Sequence, residues 1–110
     1  ACSNADNSQT ITAEELASRI NDGSAPVILD VRLVEEFKSG HVPGAINIPP
    51  GSKEQLSTLN LEKGQELVVY SKSGKRASMF ANYMREEGYF EMRLLDGSMM
   101  AWKEQSLPVE

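Results

Sequence analysis

Short apolar, β-branched runs separated by amphipathic helical stripes predict an α/β domain built on a mostly parallel sheet. Three observations carry this. The runs Val27-Ile28-Leu29-Asp30-Val31 and Leu67-Val68-Val69-Tyr70 are apolar without alternation, as in strands covered by helices on both faces. Ala77, Phe80, Ala81 and Met84 recur at helical spacing just after the second run. The chain has 110 residues, 40% apolar and 25% charged, with 8 Gly and 5 Pro, which fits one domain and leaves no room for two.

The elements follow in order. Residues 1–10 are small and polar with nothing to bury, and read as a disordered tail before a domain over 11–110. Thr12 and Glu15 stand at capping-box spacing ahead of Ala13, Leu16, Ala17 and Ile20, predicting a helix over 13–22 that Gly23 ends. A strand over 27–31 leads to a short helix over 33–39, stopped by Gly40. The turn His41-Val42-Pro43-Gly44 opens a second strand at 45–48, which Pro49-Pro50-Gly51 closes. Ser52 and Gln55 repeat the capping-box spacing and predict a weaker helix over 52–59. The most apolar run, 67–70, is the expected central strand. Beyond a polar loop over 71–76 come a helix to residue 87, a strand at 92–96 and a final helix over 99–105. Tyr70 and Tyr83 read as packing residues, and Trp102 with Met99 and Met100 as core or pocket wall.

Composition narrows the function. A net charge of −5 disfavours non-specific nucleic-acid binding, which rests on clustered cations. The single Cys2 cannot form an internal disulfide or a Cys-rich zinc site, and no sequence feature requires a cofactor or a metal. No apolar run reaches the roughly 18 residues of a spanning helix.

Chemistry concentrates in Ser71-Lys72-Ser73-Gly74-Lys75-Arg76, where the central strand hands over to the best-marked helix. A helix start presents unpaired N–H groups and positive dipole, and Gly74 lets the backbone curl so that successive amides point inward. Lys72, Lys75 and Arg76 add three cations to an otherwise acidic chain, so an anion is the expected partner. Charge and position alone leave open a plain solvated basic turn. A P-loop is excluded by register, since Val69 and Arg76 stand where Gly and Ser or Thr are needed. The G-x-S-x-G nucleophile elbow fails likewise at Val69.

Several ordered words resemble the rhodanese-like sulfurtransferase domains: Asp30-Val31-Arg32, Glu35-Glu36-Phe37, and Gly40-His41-Val42-Pro43-Gly44-Ala45-Ile46-Asn47-Ile48-Pro49. Val68-Val69-Tyr70 with a six-residue loop ending in Arg76, then Leu95-Asp96-Gly97-Ser98, Ala101-Trp102 and Leu107-Pro108-Val109, resemble the remaining landmarks over about residues 11–110. The resemblance implies a three-layer fold with a five-stranded parallel sheet flanked by helices. It also implies a loop cradling a nucleophilic cysteine that takes sulfane sulfur from thiosulfate or polysulfide and passes it to cyanide or a thiol, including a thiol on an acceptor protein; sulfite is the further small sulfur anion expected there. By the same resemblance a six-residue loop goes with sulfur substrates, and one residue more with phosphatases. Amides and a helix N-terminus suit the task by lowering a thiol pKa.

Whether by engineering or by natural loss, Ser71 stands at the nucleophile position. Oxygen cannot form a persulfide, so turnover is not expected from the chain as written. Ser71 and Arg76 are the expected catalytic positions, with Lys72, Ser73, Gly74 and Lys75 completing an anion-binding loop; a non-catalytic anion-binding or protein-docking module is the competing expectation. Asp30 and Arg32 are expected to pin the strand end through local hydrogen bonds and an ion pair with Glu35 or Glu36, and His41 to make a structural hydrogen bond in the turn. Ser98 replaces a usual second glycine and should adjust its turn only modestly. Ala1-Cys2 before Ser-Asn-Ala-Asp-Asn-Ser resembles a lipoprotein junction, implying a lipid anchor at Cys2 and a bacterial envelope or periplasmic location; the alternative is a processed terminus on a cytoplasmic protein.

Overall fold

The computed structural model describes residues 9–110, so the expected anchor at Cys2 lies outside the described residues. Five strands, Thr10–Ile11 (β1), Val27–Asp30 (β2), Ile46–Asn47 (β3), Leu67–Tyr70 (β4) and Met92–Leu95 (β5), form one parallel sheet in the order β1-β5-β4-β2-β3. Residue reading alone shows four of them. Thr10, read as tail, pairs with Leu94 and supplies the fifth at the edge.

β4 is central and buried at all four positions, and its alternating side chains divide the core in two. Leu67 and Val69 face a cluster with Leu29, Ala77, Phe80, Ala81 and Met84. Val68 and Tyr70 face the other, with Ile11, Leu16, Ile28, Met99 and Trp102. Helix Lys75–Glu86 (α3) therefore covers one face, while Ala13–Asn21 (α1) and Ser98–Glu104 (α4) cover the opposite one. A continuously apolar run is what such two-sided burial demands.

Helix α1 starts as expected, with Thr12 Oγ1 accepting the Glu15 N–H at 3.1 Å. Arg19 near its end reaches Glu66 at 2.5 and 2.7 Å, and these hydrogen bonds hold the Glu66 carboxyl below its ordinary pKa. Val34–Lys38 (α2) is a short helix closed by Ser39. Residues 53–59 depart from the expected α-helix: Lys53–Leu59 is a 3₁₀ segment, and Ser52 makes no side-chain cap. Ser57 and Thr58 hydroxyls donate to the carbonyls of Glu54 and Gln55, bonds that compete with an α-helical ladder, and only Leu56 is buried to hold the segment.

Candidate active site

The parallel topology brings the carboxyl ends of β2 and β4 side by side, with Asp30 directly opposite Tyr70. Beyond Tyr70 the chain turns through Ser71–Gly74 and enters α3 at Lys75, so Lys75 and Arg76 belong to the helix's first turn. Gly74 adopts φ +115°, a conformation that L side chains rarely take, and this bend folds the loop back over its own start. Ser71 is almost fully buried at the floor. Its Oγ accepts the N–H of Gly74 at 3.0 Å and of Ala77 at 3.3 Å. Two backbone donors therefore converge on the residue 71 side chain, one from the loop and one from the helix start, the geometry of an anion cradle.

Two features hold the loop from below. The first N–H groups of α4 turn toward it: Met99 donates to the Ser71 carbonyl at 3.0 Å and Met100 to the Lys72 carbonyl at 3.2 Å. Ser98, 1% exposed and at φ +52°, accepts the Ser71 N–H on its Oγ at 3.2 Å. This goes beyond a modest turn adjustment, because Ser98 becomes the acceptor for the first loop amide. Gly97 makes the approach feasible, since a Cβ there would meet that of Ala101 at 2.5 Å. The sequence marked 98 as a departure, but its contact depends on two loops 27 residues apart.

Around the floor lies a cavity of about 340 Å³ lined by Arg32, Leu33, Glu36, Ser71, Lys72, Ser73, Lys75 and Arg76. The structure brings together all six residues of the expected loop, since Gly74 shapes it from within. Lys72, Lys75 and Arg76 are exposed, and among the described residues none is ion-paired within 4 Å, so their charge is free to act on a ligand. Glu36, which sequence reasoning did not place here, faces the same cavity while its Oε1 accepts the Leu33 N–H at 3.1 Å.

Arg32 does not pair with Glu35 or Glu36. Its guanidinium donates to the buried Asp30 carboxylate at 2.8 and 3.1 Å and to the Gly40 carbonyl at 2.8 Å. The two side chains extend from the strand end onto one network two residues apart, whereas Glu36 is occupied with the start of α2. Burial opposes the Arg32 charge, but the Asp30 hydrogen bonds and charge outweigh it and hold its pKa above the ordinary value. Tyr70 is more than packing: its hydroxyl donates to Asp30 Oδ2 at 2.5 Å and accepts the Val42 N–H at 3.1 Å. Burial first, then the Asp30 charge and hydrogen bond, push its pKa far above the tyrosine range. Three segments, the ends of β2 and β4 and the Gly40–Val42 turn, are thereby tied together beneath the cradle.

His41 lies in the turn as expected of a structural residue. Its Nδ1 meets the Phe37 carbonyl at 2.9 Å, its ring stacks on Phe37 with centroids 3.7 Å apart, and its backbone pairs with Glu110. Trp102 is buried and donates Nε1–H to the Pro108 carbonyl at 2.8 Å, which assigns it to the core; Met99 is buried too, but Met100 is exposed.

Comparison with known proteins agrees with this architecture. The sulfurtransferase of Allochromatium vinosum is 27% identical over 99 residues, covering 90% of this chain and 92% of that one. The putative sulfur carrier protein YrkF of Bacillus subtilis is 29% identical over 99 residues; the match covers 90% of this chain but only 53% of YrkF, so the chain spans about half that relative's length. The crystal structure of the Alr3790 protein from Anabaena superposes with a TM-score of 0.82 at 32% identity, covering 91% of this chain and 81% of that one. The rhodanese-like domain pattern matches residues 12–105. With a parallel five-stranded sheet, a cradle at the end of its central strand and a family match over nearly the whole described chain, the protein belongs to the rhodanese-like domain family.

Proposed function

We propose that the chain is a sulfurtransferase-class rhodanese-like domain whose cradle receives a small sulfur anion such as thiosulfate, polysulfide or sulfite, and in which Ser71 withholds turnover. The observation that carries this reading is the pair of amide donors, Gly74 and Ala77, aimed at the residue 71 side chain. A thiolate there would be stabilised by both N–H groups, by the helix dipole and by the neighbouring cations. That thiolate attacks the outer sulfur of thiosulfate; a new S–S bond forms as the S–S bond of thiosulfate breaks, and sulfite leaves with its electron pair. A thiol acceptor, free or on a protein, then removes the outer persulfide sulfur. A serine oxygen offers neither the low pKa nor the polarisability for this exchange.

A second reading, a non-catalytic anion-binding or docking module, is favoured by Ser71 itself. While accepting hydrogen bonds from two amides, its hydroxyl keeps its own proton to donate, and an anion seated in the cradle is a suitable acceptor. One experiment separates them. Cys2→Ser/Ser71→Cys is incubated with thiosulfate and weighed by mass spectrometry beside the unsubstituted chain. The gain of one sulfur atom by the cysteine form alone supports the enzyme reading. A folded cysteine form that gains none overturns it, and salt-sensitive thiosulfate binding by the serine form then supports the module.

A further inference from the structure

Among the described residues, Asn60, Ser98 and Ser106 take a positive φ without being glycine. Asn60 and Ser106 are exposed and follow the ends of helical segments, where a left-handed residue commonly closes the last turn. Ser98 differs from both, since it opens α4 at φ +52° with only 1% of its surface exposed. A side chain held at such a backbone in a buried position carries strain that glycine avoids, and strain of this kind collects at functional sites.

Three consecutive residues of α4 grip the stem of the loop. Ser98 Oγ accepts the N–H of residue 71, the Met99 N–H donates to the carbonyl of that same residue, and the Met100 N–H donates to the carbonyl of Lys72. Both peptide units flanking residue 71 are therefore held by α4. Ser98 Oγ also lies 3.7 Å from the place a Cβ on Gly74 would occupy, beside the bend as well as the stem. Beyond the stem the loop is sparsely bonded: the amides of Gly74 and Ala77 meet the residue 71 side chain, while those of Lys72, Ser73, Lys75 and Arg76 meet no acceptor among the described residues. A loop with so few bonds of its own takes its geometry from the stem that carries it.

We infer that Ser98 is a positioning residue for the cradle: by holding the peptide that enters residue 71, its hydroxyl oxygen keeps the residue 71 side chain within reach of the Gly74 and Ala77 amides. Ser98 does not line the cavity, so it acts through residue 71 and not on the anion. This inference rests on the sulfurtransferase reading of the cradle and adds a residue that tunes the nucleophile position.

The test places Ser98→Gly and Ser98→Ala separately in the Cys2→Ser/Ser71→Cys protein and follows thiolate absorbance against pH, with urea melts of each variant. Both replacements remove the oxygen, but glycine relieves the left-handed backbone whereas alanine keeps its strain. The thiol pKa rises by about 0.5–1 unit in both, which lowers the thiolate fraction below the pKa by roughly three- to tenfold. The same rise in two variants of unequal stability assigns the effect to the lost oxygen and not to a weakened fold. A pKa unchanged in folded Ser98→Gly, or a rise confined to Ser98→Ala, overturns the positioning role while a low starting value leaves the cradle standing. A starting thiol near the unperturbed value of about 8.5 overturns the cradle and the positioning role together.

Discussion

Replacing Tyr70 by Phe tests the lock beneath the cradle. The substitution keeps the ring in its buried place within the core cluster that holds Val68 and Trp102 and removes one oxygen. That oxygen satisfies two buried groups, the Val42 N–H at 3.1 Å and the Asp30 carboxylate at 2.5 Å. An orphaned buried amide costs about 1–3 kcal/mol, and a hydrogen bond to a charged acceptor is worth about 1.5–3 kcal/mol. Arg32 still holds Asp30, so a combined loss of about 2–4 kcal/mol is expected rather than the full sum. For a domain of this size that lowers the midpoint of thermal unfolding by roughly 10–25 °C. The pH dependence isolates the hydroxyl. Because the folded-state pKa lies far above the unfolded value, the unfolded chain loses this proton first, and stability declines by up to about 1.4 kcal/mol per pH unit above roughly pH 10. Urea melts from pH 8 to 11 should show that decline in the unsubstituted chain and its loss in Tyr70→Phe. Equal stability of the two at pH 8, with parallel alkaline declines, would refute the network.

The remaining expectations concern the loop and its supports. Ser98→Ala removes the acceptor of the Ser71 N–H and keeps a side chain at positive φ, costing about 1–3 kcal/mol; Ser98→Gly loses the same bond but relieves the backbone, so urea melts should place it about 1 kcal/mol above the alanine variant. Gly74→Ala puts a Cβ at φ +115°, costing about 1–3 kcal/mol, and thiosulfate titration should show weakened binding as the loop opens. Glu36→Gln retains an oxygen for the Leu33 N–H but removes negative charge from the cavity; thiosulfate should bind roughly two- to fivefold tighter in low salt, an effect that shrinks at high salt.

Legibility in the sequence followed the range over which each feature is determined. The stripe Ala77, Phe80, Ala81 and Met84 is set by one helical face against one core, and all four are buried. The run 67–70 needed only burial on both faces, and Gly74 only a local bend. β1 was missed because a strand of two residues carries no period; it exists because β5 offers its edge to Thr10 and Ile11. The 52–59 segment showed the spacing of a cap but lacked apolar residues to enforce α-helix. Arg32 illustrates a choice among acidic partners that nearness in sequence cannot rank: burial of Asp30 decides it, and burial is a property of the fold. Ser98 and Glu36 likewise reach the site only because the sheet topology brings their segments beside the loop after β4.

The most direct measurement is the thiol pKa of Cys2→Ser/Ser71→Cys, whose introduced cysteine is the only one in the chain, followed by thiolate absorbance against pH. Two converging amides, a helix start and three nearby cations predict a value below about 7, with the fold intact. A thiol that titrates near the unperturbed value of about 8.5, or above it, in a folded protein would contradict the cradle on which the functional reading stands.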